Sequence, residues 1–235
     1  MSVATFPIGY PAVASGLAPW FIEADFECLR RQGGAVLGSG NDYITDRGIP
    51  QWQATLKTRM LFPSEISQWR GFRDSLRGMS RFFVGYDPLR AYPGAYMPRG
   101  WGSLTRVGGG AFDGTASLVA ISNSGLPGIG NDVIEIGTLP SGLALINGDY
   151  VSLSQSGVVS LHRVLDQTAQ VANGSGDVTV WVEPEVPAAF VAGTAAVNLL
   201  QPCAKFRIMK WDLPVQANGR ARPGQATFTA LSVSV

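Results

Sequence analysis

The chain has 235 residues, with 18 basic and 17 acidic side chains, 46% hydrophobic residues and 15% charged ones. A near-neutral, apolar-rich chain excludes a disordered segment and a nucleic-acid-coating protein, which need a low apolar fraction or a large charge excess. Glycine and proline contribute 29 and 15 residues, and the short apolar runs between them predict many strands and turns, in one large domain or two small ones.

The first basic residue is Arg30, so the charged start of a signal peptide is missing. No apolar run approaches the roughly 20 residues that span a bilayer. The expectation is therefore a protein kept in the cytoplasm after synthesis, with no membrane anchor. The first predicted strand is Ile22–Cys28, where Ile22, Ala24, Phe26 and Cys28 alternate with Glu23, Asp25 and Glu27. Period two places the first set on a buried face and the carboxylates toward water or a partner. Residues 33–42 are glycine-rich and predict a loop or the tip of a long hairpin. Trp52, Ala54, Leu56, Thr58 and Met60 then alternate with polar residues as a second strand.

One helix is expected, over residues 64–77, with Ser64 as N-cap, Glu65 at the positive end of the helix dipole and Gly78 as the stop. Its apolar positions Ile66, Trp69, Phe72 and Leu76 recur at spacings of three and four. Arg81–Tyr86 reads as a strand returning to the sheet, and 92–110 as a long connection broken by proline and glycine. Beyond it, strands at 132–136, 150–154, 158–164, 177–182 and 195–200 are separated by turn signals, the pattern of a small antiparallel barrel or sandwich. Residues 231–235 alternate again as a closing strand.

Charge is distributed in blocks. Residues 107–206 carry eight carboxylates against only Arg163 and Lys205, whereas 1–106 and 207–235 are net basic. Basic ends around an acidic middle predict a barrel inserted into a domain that the C-terminus completes. Arg70, Arg73, Arg77, Arg81, Arg90, Arg99 and Arg106 fall in one stretch without lysine, opposed only by Asp74 and Asp87. Arginine without lysine favours planar, fixed contacts. Arg70, Arg73 and Arg77 are spaced to share one side of the helix. They fit a subunit interface that meets Glu23, Asp25 and Glu27 of a neighbour. A plain solvated face, DNA and lipid are the other readings, and the neutral charge and lack of interleaved stacking aromatics weigh against nucleic acid.

No catalytic, cofactor or metal site is expected. His162, the only histidine, lies inside a strand without a nucleophile elbow. Glu183 and Glu185 flank Pro184 as a solvated strand end rather than converging on a cleft. The glycine clusters lack phosphate-binding patterns. Cys28 and Cys203 stand 175 residues apart and predict free thiols; with one histidine they fall short of a four-ligand zinc site.

The order of these pieces is familiar. A Gly-rich hairpin, Gly48-Ile49-Pro50-Gln51-Trp52, the helix Trp69 to Gly78 of form W-x-G-F-x-D-S-L-R-G, and Arg81 to Pro88 resemble minor tail proteins of long-tailed bacteriophages. Leu143 to Leu153, Leu161 to Val164, Val180 to Pro184 and Gln201 to Arg207 are similar to the β-barrel of the same group. The resemblance implies a distal tail protein or hub-like protein of the tail tip. Its fold would be mainly β, with a split-sheet belt domain bearing one helix (1–106 with 205–235) and an inserted small antiparallel barrel or sandwich (107–204). Its role would be structural and non-enzymatic: a homo-oligomeric ring, hexamer or trimer, in the virion, assembled in the host cytoplasm. The ring would join the tail tube to hub or fibre proteins, with DNA only as cargo in its channel. A head-to-tail ring needs two different complementary surfaces, which the acidic strand and arginine helix would supply. The alternative is a carbohydrate-binding β-sandwich for host recognition, although Trp181 is the single tryptophan in 107–206, too few for an aromatic platform.

Overall fold

A computed structural model describes residues 4–5, 21–30, 32–36, 42–46, 50–78, 80–97, 100–125, 130–213 and 223–233. In chain order the strands are β1 (Ala4–Thr5), β2 (Phe21–Leu29), β3 (Gln32–Val36), β4 (Asp42–Asp46) and β5 (Gln51–Thr58), followed by helix α1 (Pro63–Ser75) and β6 (Phe83–Tyr86). Then come β7 (Thr115–Ser122), β8 (Val133–Gly137), β9 (Ala144–Leu145), β10 (Tyr150–Gln155), β11 (Val158–Val164), β12 (Gln170–Val171), β13 (Val178–Glu183) and β14 (Ala196–Asn198). Finally β15 (Cys203–Asp212) and β16 (Thr227–Ser232) return to the first sheet. The protein is mainly β, as its punctuation predicts.

Two bodies of sheet result. The first is a curled half-barrel in the order β1-β6-β15-β16-β5-β2, antiparallel except for the parallel β1/β6 pair. The second is a closed antiparallel barrel, β10-β11-β13-β8-β7-β14 with β14 returning to β10. All barrel strands lie between β6 and β15 in sequence. The return strand begins at Cys203, which pairs with Tyr86, so Cys203 and Ala204 lie in the sheet. The glycine-rich segment is an antiparallel hairpin, β3 against β4; residues 37–41 at its tip lie outside the described residues, as do Gly48, Ile49 and Arg99.

The half-barrel buries one face. Trp52, Ala54, Leu56, Phe83, Phe206, Ile208, Phe228 and Ala230 point inward, and α1 lays Ile66 and Trp69 onto them, joined by Leu76 just past its end. The helix differs from expectation at both ends. Phe62 occupies the N-cap and Pro63 the first helical position, where a missing N–H costs nothing; Glu65 Oε2 accepts the Phe62 N–H at 2.8 Å. The α-helix ends at Ser75, and Arg77 lies beyond it at φ 48° followed by Gly78 at φ 68°. Arg77 therefore does not share a helix face with Arg70 and Arg73, because the left-handed pair reverses the chain there.

Expected strand faces also shift at bulges. β2 slips register between Phe21 and Glu23, so Phe21 is buried while Ile22 is 47% exposed; an extra residue moves the flanking side chain to the other face. β5 ends at Thr58 and leaves Met60 exposed. The closing strand is β16, earlier than 231–235; residues 234–235 lie outside the described residues.

The barrel core is built by alternation: Leu118, Ile134, Ile136, Val151, Leu153, Val180 and Val197 all face inward and are inaccessible to solvent. Two turns demand glycine. At Gly114 (φ 88°) a Cβ would sit 2.4 Å from Leu200 Cβ, and at Gly176 (φ 82°) 2.5 Å from the Leu139 carbonyl. A fragment of residues 107–204 should be soluble and β-rich by circular dichroism, because its closed sheet has its own core. It should melt below the full chain, since Tyr150 and Leu161 pack into the half-barrel core and would be laid bare. A fragment with no β signal would show instead that the chain folds as one continuous unit.

Candidate subunit interface

β2 is an edge strand: among the described residues it pairs only with β5. Its outward positions Glu23, Asp25 and Glu27 are all exposed, standing opposite Lys57, Thr55 and Gln53 of β5. Lys57 Nζ donates to Glu23 Oε1 at 2.7 Å. The other two have only neutral cross-strand neighbours. A charged edge resists indiscriminate strand pairing and accepts a counterpart of opposite sign.

The arginines sit on the other layer. Arg70 is half-buried on α1, whereas Arg73 and Arg77 are exposed. Arg73 Nη2 lies 3.0 Å from Asp74 Oδ1, a pair between two exposed neighbours that contributes little. Arg77 makes no ion pair among the described residues. Arg81 donates from Nη1 to the Ser75 carbonyl at 3.2 Å, a cap on the last helical turn. Neither Arg73 nor Arg77 meets Glu23, Asp25 or Glu27 within the chain. The two charge sets thus occupy separate surfaces of one subunit.

Between sheet and barrel lies a cluster whose residues are scattered in sequence. Arg163 on β11 donates from Nη2 to the Phe26 carbonyl of β2 at 2.7 Å, and its guanidinium stands 5.0 Å from the Trp52 ring and 5.5 Å from the Tyr150 ring. Trp52 Nε1 donates to the Leu161 carbonyl at 2.6 Å. Arg30 Nε donates to Glu183 Oε1 at 2.5 Å, and Lys205 Nζ donates to the Gly157 carbonyl. Glu183 is thus anchored to the sheet, whereas Glu185 is exposed. The one sequence signal for this latch was the isolation of Arg163 and Lys205 in an acidic block, where a basic side chain has a structural task.

Asp87, which follows β6, is 3% exposed. It accepts the Leu89 N–H at 2.9 Å, with Arg90 Nε 3.8 Å away. Burial pushes its carboxyl up to about 6, with Asp25 adding to the rise and the Leu89 N–H, Arg90 and Arg163 opposing it. His162 is wholly buried inside the barrel, its Nδ1 2.7 Å from the Pro184 carbonyl and its Nε2 without a partner. Burial pulls it down to about 4 against that hydrogen bond. Both cysteines are free; burial pushes the Cys28 thiol up to about 11. Among the described residues no three His, Cys, Asp or Glu side chains converge as a metal would require.

No protein-family model and no curated protein matches this chain.

Proposed function

We propose that this chain is a structural virion protein of the tail tip of a long-tailed bacteriophage, assembling with copies of itself into a ring that joins the tail tube to hub or fibre proteins. One observation carries the reading. A curled sheet ends in a nine-residue edge strand that displays three carboxylates, while Arg73 on the helix and Arg77 just beyond it meet none of those carboxylates within the chain. Such a subunit has two unlike, complementary surfaces, which is what a closed head-to-tail ring requires. The ring would be a hexamer or a trimer, with the barrel on its periphery and DNA crossing its channel as cargo.

Light scattering of the purified chain should show mass rising with concentration at low salt and falling as salt is added, because exposed charges are screened beyond about 10 Å at 0.1 M salt. Negative-stain images of the low-salt sample should show closed rings. Arg73→Glu with Arg77→Glu should leave a folded, soluble subunit that no longer assembles, since like charges then face each other across the joint. A chain that stays monomeric at every concentration and salt, or a double variant that assembles normally, would overturn the assignment of these arginines.

A further inference from the structure

We propose that the cleft between the connecting segment at 90–97 and the barrel turn at 146–150 binds a monosaccharide-sized sugar acid, a hexuronate, through its carboxylate on the guanidinium of Arg90. The site is a small-molecule site and stands independently of the ring. The cleft holds about 260 Å³, just under the smallest drug-sized pockets at about 300 Å³, and it accommodates one pyranose ring.

Arg90 is positioned but not used up. Its side chain is 56% exposed, and its guanidinium rests 5.4 Å from the Tyr150 ring centroid, with Nη1 donating to Tyr150 Oη at 3.3 Å. Asp87 Oδ2, 3.8 Å from Nε, is beyond hydrogen-bond reach. The remaining N–H groups form the planar fork that suits a carboxylate. Asp149, the acid that lines the cleft, reaches Arg90 through its charge and not through a hydrogen bond. Its Oδ1 accepts the Gly94 N–H at 2.7 Å and its Oδ2 the Ile146 N–H at 2.8 Å, so both oxygens are committed to the backbone.

The rest of the lining selects the body that carries the carboxylate. Met97 and Ile146, each 37% exposed, offer an apolar wall for the C–H face of a sugar, and Asn147 on the same rim offers amide groups to hydroxyls. A neutral sugar would leave the Arg90 fork unmatched. Asn147 Nδ2 already donates to the Leu165 carbonyl at 3.4 Å, so an aromatic acid would leave only its amide oxygen and second N–H without the hydroxyl partners a sugar supplies, which costs affinity. Gly94 keeps the cleft open, because a Cβ there would sit 2.8 Å from Ile146 Cδ1.

Titration calorimetry of the full chain at neutral pH with D-glucuronate, D-glucose and benzoate tests this. Glucuronate should bind about tenfold or more tightly than either of the others, the worth of one charged hydrogen-bonded pair. Arg90→Gln should lose that margin while remaining folded, and Asn147→Ala should weaken glucuronate several-fold. Asp87→Asn, which removes the competing charge beside Arg90, should tighten it. Absence of glucuronate binding, glucose or benzoate binding equally well, or an Arg90→Gln protein that binds as the parent does would each overturn the proposal. Should Arg90→Gln fail to fold, the Asn147 and Asp87 variants decide it in the same way. Light scattering reads assembly separately, so a failed ring and a failed cleft give different results.

Discussion

Trp69→Ala should destabilise the chain by about 3 to 5 kcal/mol and yield mostly insoluble protein, because that loss approaches the whole stability of many domains. Trp69 is 1% exposed, and its ring lies 5.7 Å from Phe21, Trp211 and Phe228 and 6.0 Å from Phe72. Trp211 and Phe228 are themselves stacked at 5.1 Å. Removing the indole leaves a void walled by four aromatic rings that cannot collapse without breaking the stacked Trp211–Phe228 and edge-to-face Phe21–Phe228 contacts. It also unseats α1, whose other fully buried anchor is Ile66. Trp181→Ala is the matched comparison: on β13 and 47% exposed, it should change stability by less than about 0.5 kcal/mol. Urea unfolding midpoints of the two variants read the difference. Equal losses would mean that the helix is not seated through Trp69.

Between pH 4 and 6 the stability of the parent protein should vary less than that of either of two variants, because Asp87 and His162 pull in opposite directions. The folded state holds the Asp87 proton up to about 6, against about 3.9 in an unfolded chain. It therefore binds more protons than the unfolded state across that window, and stability falls as pH rises. His162 titrates at about 4 when folded and at 6.5 when exposed. The unfolded state then takes the proton first, and stability falls as pH drops from about 6.5 to 4. Each displacement is worth about 3 kcal/mol at most. Asp87→Asn keeps the acceptor for the Leu89 N–H and removes the first slope, so this variant should be more stable than the parent at neutral pH and lose stability steeply on acidification. His162→Gln should show the opposite slope, gaining stability as pH falls toward 4. Comparing each variant with the parent cancels other titrating groups, among them Asp149, which burial also pushes up. If neither variant changes the pH profile, the two buried groups do not titrate where their surroundings place them.

Regular elements were legible where period alone defines them. β5, the core of α1 and the barrel strands β10, β11 and β13 carry large apolar residues at the spacing their geometry demands. What escaped has a common cause. β7 slips register between Leu118 and Ala120, and β15 between Ile208 and Lys210, and one inserted residue inverts the alternation beyond it. β15 therefore reads as two unrelated halves, Phe206 and Ile208 facing inward before the bulge and Trp211 partly buried after it. β16 is hidden for a different reason: its inward Ala230, like Ala226 just before the strand, is too small to mark a face beside Phe228. The spacing of Arg77 fits the helix, yet spacing says nothing about a left-handed residue that has already ended the turn. The acidic strand could be seen in the sequence because its signal is local. The group formed by Phe26, Asp87, Arg90, Tyr150 and Arg163 could not, since chain topology alone brings it together.

The bond from Arg163 to the Phe26 carbonyl gives the molecule a load path. β2 is held on its open side of the fold by a barrel side chain that grips its main chain, and a main-chain acceptor survives any side-chain substitution at position 26. A pull on the barrel is thus delivered to the backbone of the strand that bears Glu23, Asp25 and Glu27, rather than being lost in a loose tether. Stretching the chain between a barrel attachment and its sheet should show the two bodies parting at a distinct force peak, and Arg163→Met, which keeps the stem over Trp52 but removes the donor, should lower that peak without altering the force at which the barrel itself unravels.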